Sequence, residues 1–229
     1  MKNKVTALIL CGGKGERLKP LTNMLPKPLV CLRGRPILSY VLDHLKRFEI
    51  EDVVIAAGFK AELIYEFIEN NYKGLNVKIV DSGDVDILER IKSCSSIIKG
   101  DFLVMYGDTV ANVRLDQLQE FHYSHELKAT ITLYPFNSSF GLFDLDHNGN
   151  IISYREKPTF SESINIGYVY YEQVAFSWMK DYEYYVDFLQ FLTDQRKLKG
   201  FMHKGDHLTV NTIAELEAAE MYIEQRYGK

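Results

Sequence analysis

Short aliphatic runs alternate with amphipathic stretches through the first half of the chain, and that alternation constrains the fold more than any other feature. Val5–Leu10, Val53–Ala57, Val77–Asp81 and Phe102–Tyr106 have the length and the aliphatic or β-branched content of buried strands. Between and after them, Ile37–Phe48, Ala61–Tyr72, Ile87–Ile98 and Leu115–Ser124 read as helices, the third with Asp86 as its N-cap. Apolar strands separated by crossover-sized helices belong to a parallel sheet covered on both faces.

The second half changes period. Ala129–Pro135, Gly141–Leu145 and Ile151–Glu156 read as antiparallel strands, with the Asn148-Gly149 hairpin signal between the last two. Ile166–Tyr171 is a further strand, and Ala214–Gln225 closes the chain as an acidic amphipathic helix. The aromatic run Tyr182, Tyr184, Tyr185, Phe188 and Phe191 fits a helix packed in the core, the wall of a binding site, or an interface between identical chains in a homo-oligomer. The expected class is α/β: a Rossmann-like, mostly parallel sheet flanked by helices, with a smaller antiparallel subregion in the second half. Neither a repeat nor a Pro/Gly/Ser linker interrupts it, so residues 1–229 are expected to form one domain with parts divided near residue 125.

Composition narrows the function. Of 229 residues, 46% are hydrophobic and 25% charged, the balance of a globular core rather than of a disordered chain. Lys+Arg 27 against Asp+Glu 31 gives a net charge of −4, which argues against nucleic-acid or anionic-membrane partners. The N-terminal apolar run is too short for a signal-peptide core, and no run reaches membrane-spanning length. Cys11, Cys31 and Cys94 lack a CxxC spacing and read as reduced thiols of a cytoplasmic protein. His122 and His125 lack a third partner for a metal.

The charge is unevenly spread. Residues 12–35 hold six basic side chains against Glu16 alone, a local net of +5 that leaves −9 elsewhere. Ligands of open α/β sheets bind beyond the carboxyl ends of the strands. Three segments fall there: Cys11–Leu18, Asp81–Asp84 and Gly107-Asp108. Gly12, Gly13 and Gly15 allow backbone N–H groups to approach an anion closely, and Arg17 adds a charged fork. The spacing fits neither a Walker loop nor the dinucleotide fingerprint. Pro26-Lys27-Pro28 mounts a long cation on stiff backbone. Asp108, at a strand end opposite this loop, suits a Mg²⁺ ligand.

These motifs, with Glu156-Lys157-Pro158, stand in the order of the sugar-nucleotidyltransferase family, which the chain resembles over nearly its whole length. Within that family it looks most like the glucose-1-phosphate cytidylyltransferases, through Val80–Asp84, Tyr106–Val113 and Phe140–Asp144. The resemblance implies a Mg²⁺-dependent reaction of CTP with a small phosphorylated acceptor, in surface-glycan or related biosynthesis. It implies that the backbone from Leu10 and Cys11 through Gly12, Gly13, Lys14 and Gly15 holds the triphosphate with Arg17, and that Lys27 contacts phosphates at the reaction centre. Ser82, Gly83, Asp84 and Gly107 would lie along the nucleotide. Asp108 and Asn211 would ligate Mg²⁺, while Gly141, Glu156, Lys157 and Asn165 would bind the acceptor.

Departures from the family pattern accompany these matches. Asn211 stands where an Asp is usual, and it also fits the cap of the terminal helix. Ile87–Ile91 replaces a glycine-rich stretch expected to shape the base site. Ser139 replaces an arginine and Ile166 a glycine, changes expected to alter the acceptor pocket. The acceptor is therefore either a sugar 1-phosphate or a non-sugar phosphate monoester such as choline phosphate, and another nucleoside triphosphate can take the place of CTP. A nucleotide-binding subunit without catalysis is the reading from outside enzymes.

Overall fold

The computed structural model describes residues 4–227. Seven strands form the main sheet: β1 (Thr6–Cys11), β2 (Asp52–Ala57), β3 (Asn76–Asp81), β4 (Phe102–Tyr106), β5 (Ala129–Asn137), β6 (Thr159–Tyr171) and β7 (Leu198–Met202). Their order is β7-β5-β6-β4-β1-β2-β3. The strands from β4 to β3 are parallel, as the alternation of the first half requires; β6 runs antiparallel to both β4 and β5, and β7 runs parallel to β5.

Helices α1 (Ile37–Arg47), α2 (Ala61–Asn71) and α4 (Leu115–Tyr123) cover one face. Helices α3 (Ile87–Lys92), α5 (Ala175–Met179) and α6 (Tyr185–Asp194) cover the other. Strand β1 shows why: Ala7, Ile9 and Cys11 point into the first core and Leu8 into the second, so a strand with no polar side needs cover on both sides. Helix α7 (Ile213–Tyr227) closes a third, small core with Leu18, Val30, Leu32, Ile37 and Val210.

Register positions the site. Cys11 pairs with Ala57, Ala57 with Asp81, and Leu10 with Tyr106, so four parallel strands end level with one another. The segments after them meet at one edge of the sheet. Antiparallel β6 sets Tyr168 against Met105, which brings its Asn165–Gly167 stretch to that same edge.

Several expectations are corrected. Helix α3 stops at Lys92 instead of running to Ile98. Ser93 Oγ and Cys94 Sγ both donate to the Arg90 carbonyl, and this local competition draws the following residues into turns. Asp86 does cap α3, accepting from the Leu88 N–H at 2.8 Å. Strand β6 begins at Thr159, seven residues before the apolar run, because its polar first half pairs with the end of β5. Gly141 lies just before its ribbon strand rather than in it; that two-stranded ribbon joins Leu142–Leu145 to Ile151–Arg155. Strand β7 and a ribbon joining Thr109–Ala111 to His207–Thr209 carry no pattern that singled them out. The aromatic run is core except at Tyr184, which is exposed: Tyr185 and Phe188 are buried in the second cluster with Tyr182 and Phe191 packed against it.

Candidate active site

The glycine loop leaves β1 at the sheet edge. Gly12 is buried and Gly13 is exposed with open space where a side chain would be, so Gly13 leaves its backbone accessible to a ligand. Gly15 has φ 63°, and a Cβ there would approach Thr22 Cγ2 to 2.8 Å. Thr22 Oγ1 donates to the Gly15 carbonyl at 2.9 Å and holds the turn. Arg17 is exposed on the single helical turn that follows. Lys14 reaches Asp84 at 2.5 Å, which joins this loop to the segment after β3 and holds the Asp84 carboxyl below the usual carboxylate range. The Leu10 carbonyl accepts the Gly107 N–H at 3.0 Å, linking the ends of β1 and β4. Cys11 is buried, and loss of solvation pushes its thiol pKa up, so it supplies no nucleophile.

At the centre stands Lys27, between buried Pro26 and Pro28, with a side chain only 12% exposed. Its Nζ donates to Asp108 Oδ2 at 2.5 Å and to Asn211 Oδ1 at 2.8 Å. Residues separated by 81 and 184 positions thus converge on one nitrogen. Asn211 does not cap α7. Thr212 does, its hydroxyl accepting the Glu215 N–H at 3.2 Å. Glu215 Oε2 accepts from the Asn211 backbone N–H at 2.9 Å and from its Nδ2 at 3.1 Å. With the amide nitrogen held by Glu215, the amide oxygen faces Lys27 and Asp108.

One carboxylate and one amide oxygen converging on a point are a donor set that fits Mg²⁺, which takes one or two carboxylates and completes its shell with phosphate oxygens and water. Among the described residues no group of three or more His, Cys, Asp or Glu could hold a metal, so an ion here depends on substrate oxygens for the rest of its coordination. His122 and His125 are spent on one hydroxyl, Thr130 Oγ1, at 2.8 and 3.0 Å.

The segment after β3, expected to lie along the nucleotide, is tied into the protein. Ser82 Oγ donates to the Ala57 carbonyl at 3.0 Å and accepts from Arg90 Nη1 at 2.8 Å, so its hydroxyl is committed inside the protein. The Gly83 N–H donates to Asp81 Oδ1 at 2.9 Å. Sequence reasoning missed Arg90, Gly58 and Glu215. The signal for Glu215 was its place three residues after Thr212 at a helix start; Arg90, on a helix that also carries Glu89 and Lys92, gave no signal.

Of the residues expected to bind the acceptor, Gly141 and Glu156 lie together. Gly141 is packed so tightly against Tyr154 and Glu156 that a Cβ would meet the Tyr154 ring at 2.8 Å and Glu156 Oε2 at 3.0 Å. The Tyr154 hydroxyl donates to Glu156. Lys157 is exposed with φ 43°. Asn165 is apart from these: its Oδ1 accepts the Gly167 N–H at 2.8 Å and its Nδ2 donates to the Tyr106 hydroxyl at 3.5 Å. Ile166 is 2% exposed and faces the first core, so its side chain cannot reshape an acceptor pocket. Ser139 is exposed beside Phe140.

Comparison with known proteins places the chain in a family. The profile of the Nucleotidyl transferase family matches residues 6–206. The chain belongs to that family. The bifunctional protein GlmU of Methanocaldococcus jannaschii is 28% identical over 227 residues, covering 95% of this chain and 54% of its own length. The chain thus spans about half the length of that relative. The glucose-1-phosphate cytidylyltransferase of Salmonella typhimurium is 32% identical over 177 residues, 66% of this chain and 68% of that protein. A putative glucose-1-phosphate thymidylyltransferase from Bacillus anthracis, crystallised with sucrose, superposes with a TM-score of 0.77 at 20% identity, covering 95% of this chain and 94% of its own. At that identity the likeness concerns the fold: an α/β sheet flanked by helices with small antiparallel ribbons. None of the helices among the described residues is long and apolar enough to cross a membrane.

Proposed function

We propose that this protein transfers a nucleotidyl group from CTP to a sugar 1-phosphate, giving a CDP-linked sugar and pyrophosphate for surface-glycan or related biosynthesis. The observation that carries the reading is the convergence of Lys27, Asp108 and Asn211 at the carboxyl ends of the parallel strands, beside a glycine loop with an exposed arginine. A phosphate oxygen of the acceptor attacks the α-phosphorus, the bond from the α-phosphorus to the bridging oxygen breaks, and pyrophosphate leaves with that electron pair. The acceptor phosphate is already ionised, so no general base is needed. The work left to the protein is alignment and neutralisation of charge.

Lys27 suits a phosphate at the reaction centre, its own charge balanced by Asp108 until substrate arrives. The N–H groups of Gly12 and Gly13 with Arg17 suit the triphosphate. Asp108 and Asn211 would hold Mg²⁺, which when bound neutralises negative charge on the phosphates. Glu156, Lys157 and Asn165 suit the acceptor. The cytosine preference rests on the likeness of Val80–Asp84 and Tyr106–Val113 to cytidylyltransferases and on the relative from Salmonella typhimurium.

The test is Mg²⁺-dependent pyrophosphate release from CTP, ATP, GTP, UTP and dTTP, with α-glucose 1-phosphate in one series and a pool of non-sugar phosphate monoesters in another. Release from CTP with the sugar phosphate is expected. Release with another triphosphate would replace the base, release only with the pool would replace the acceptor, and silence throughout, with nucleotide still bound, would leave a nucleotide-binding subunit.

A further inference from the structure

Arg90 is a buried charge that the reading above does not use. It sits on α3 at 4% exposure. Its Nη1 donates to the Ala57 carbonyl at 2.5 Å and to Ser82 Oγ at 2.8 Å. Its Nη2 donates to the carbonyls of Gly83 and Val85 at 3.0 and 3.2 Å. None of these four acceptors is a carboxylate. The carboxylates that feel its charge, Asp84 and Asp81, are exposed and engaged elsewhere, by Lys14 and by the Gly83 N–H. A guanidinium taken out of water without a counter-charge is costly, and proteins seldom keep one without use.

Its position suggests the use. The guanidinium lies directly against Gly12: a Cβ built on that glycine would meet Nη1 at 1.8 Å and Cζ at 1.9 Å. A Cβ on Gly58 would likewise crowd the guanidinium, 2.6 Å from Nη1, as well as the Gly83 carbonyl oxygen at 2.5 Å. Two glycines at neighbouring strand ends therefore make room for one cation behind the loop. Only backbone separates this charge from an anion held on the Gly12–Gly13 N–H groups, and Coulomb attraction through such a layer is screened far less than through water.

We propose that Arg90 is a positioning residue of the nucleotide site: a fixed positive charge behind the glycine loop that favours the triphosphate over fewer phosphates, while its hydrogen bonds tie residues 82–85 to the end of β2. It touches no reacting atom. The inference rests on the nucleotidyltransferase reading, and its test separates the two.

Equilibrium binding of CTP, CDP and CMP, or the same series of whichever base supports turnover, is measured for the wild type, Arg90→Met and Arg90→Lys, with circular dichroism and thermal unfolding of each. Arg90→Met is expected to weaken CTP about tenfold and CMP about twofold, so that preference for the longer phosphate chain collapses. Arg90→Lys keeps the charge but fewer hydrogen bonds; it is expected to weaken the whole series evenly and to retain the preference. An even loss across the series in Arg90→Met, no loss at all, or failure of both variants to fold would make Arg90 purely structural and overturn the proposal. A wild type that binds no nucleoside triphosphate would overturn the parent reading, and this one with it; normal wild-type binding with an unchanged preference in Arg90→Met would overturn this one alone.

Discussion

Lys27 and Lys157 are both lysines at the candidate site, and the fold treats them in opposite ways. Lys27 is mounted between two buried prolines, is 12% exposed, and is held by residues from two distant parts of the chain. Lys157 is exposed at the end of a two-stranded ribbon whose Phe143, Leu145, Ile151 and Tyr154 also face solvent. The side proposed to take the nucleotide is thus braced before any ligand arrives, on strands buried on both faces. On the side proposed to take the acceptor, Glu156 and Lys157 follow a ribbon outside the main sheet, and such a ribbon has little stability of its own. A rigid half suits a part of the substrate that is common to many reactions, and an adaptable half suits the part that varies.

Removing Lys27 should damage the braced half most. Lys27→Ala is expected to lower kcat by about a thousandfold, about 4 kcal/mol of transition-state stabilisation, in steady-state pyrophosphate release. A loss of less than tenfold would mean that the braced half does not contain the reaction centre.

Gly167 belongs to the main sheet, on β6 against Tyr106 at the end of β4. It has φ 80°, and a Cβ there would lie 2.4 Å from the Tyr106 ring. Gly167→Ala should cost about 2–4 kcal/mol in denaturant unfolding, from the backbone conformation and from overpacking. Wild-type stability would show that the tyrosine moves freely and that the sheet edge is less tightly braced.

The Asn211–Glu215 pair sharpens the comparison further. Asn211→Asp sets a carboxylate about 3 Å from Glu215 Oε2, judged from the Nδ2 contact, and like charges at that range repel. Turnover is expected to fall about ten- to fiftyfold, and the double change Asn211→Asp with Glu215→Gln should recover most of it. Additive losses in that cycle would show that Glu215 does not orient the amide.

Lys157→Ala is expected to raise the acceptor KM about five- to tenfold while leaving the nucleotide KM unchanged and stability within about 0.5 kcal/mol, as for an exposed cation. A matching shift in both KM values would mean that the two halves are not independent.

Much of this was legible in the residues themselves. Val5–Leu10 and Phe102–Tyr106 could only be strands buried on both faces, and Pro26-Lys27-Pro28 marked a mounted lysine wherever it landed. Glycines at 12, 13 and 15 pointed to a loop with accessible backbone, and Gly13 has that accessibility. The antiparallel entry of β6 was not legible, because five of its first seven residues are polar and only pairing with β5 makes them a strand. Nor were the roles of Arg90 and Glu215: each is a charged residue of ordinary appearance on a helix, and its meaning lies in what it faces across the fold.

The sequence by itself therefore determined the four parallel strands, the helices between them and the chemical types at the site, because periodicity, glycine and proline act over a few neighbouring residues. The tertiary structure alone decided which end of the Asn211 amide faces Lys27 and which charge lies behind Gly12. Those are contacts across up to 184 positions, set by strand register and packing rather than by any local preference of the chain.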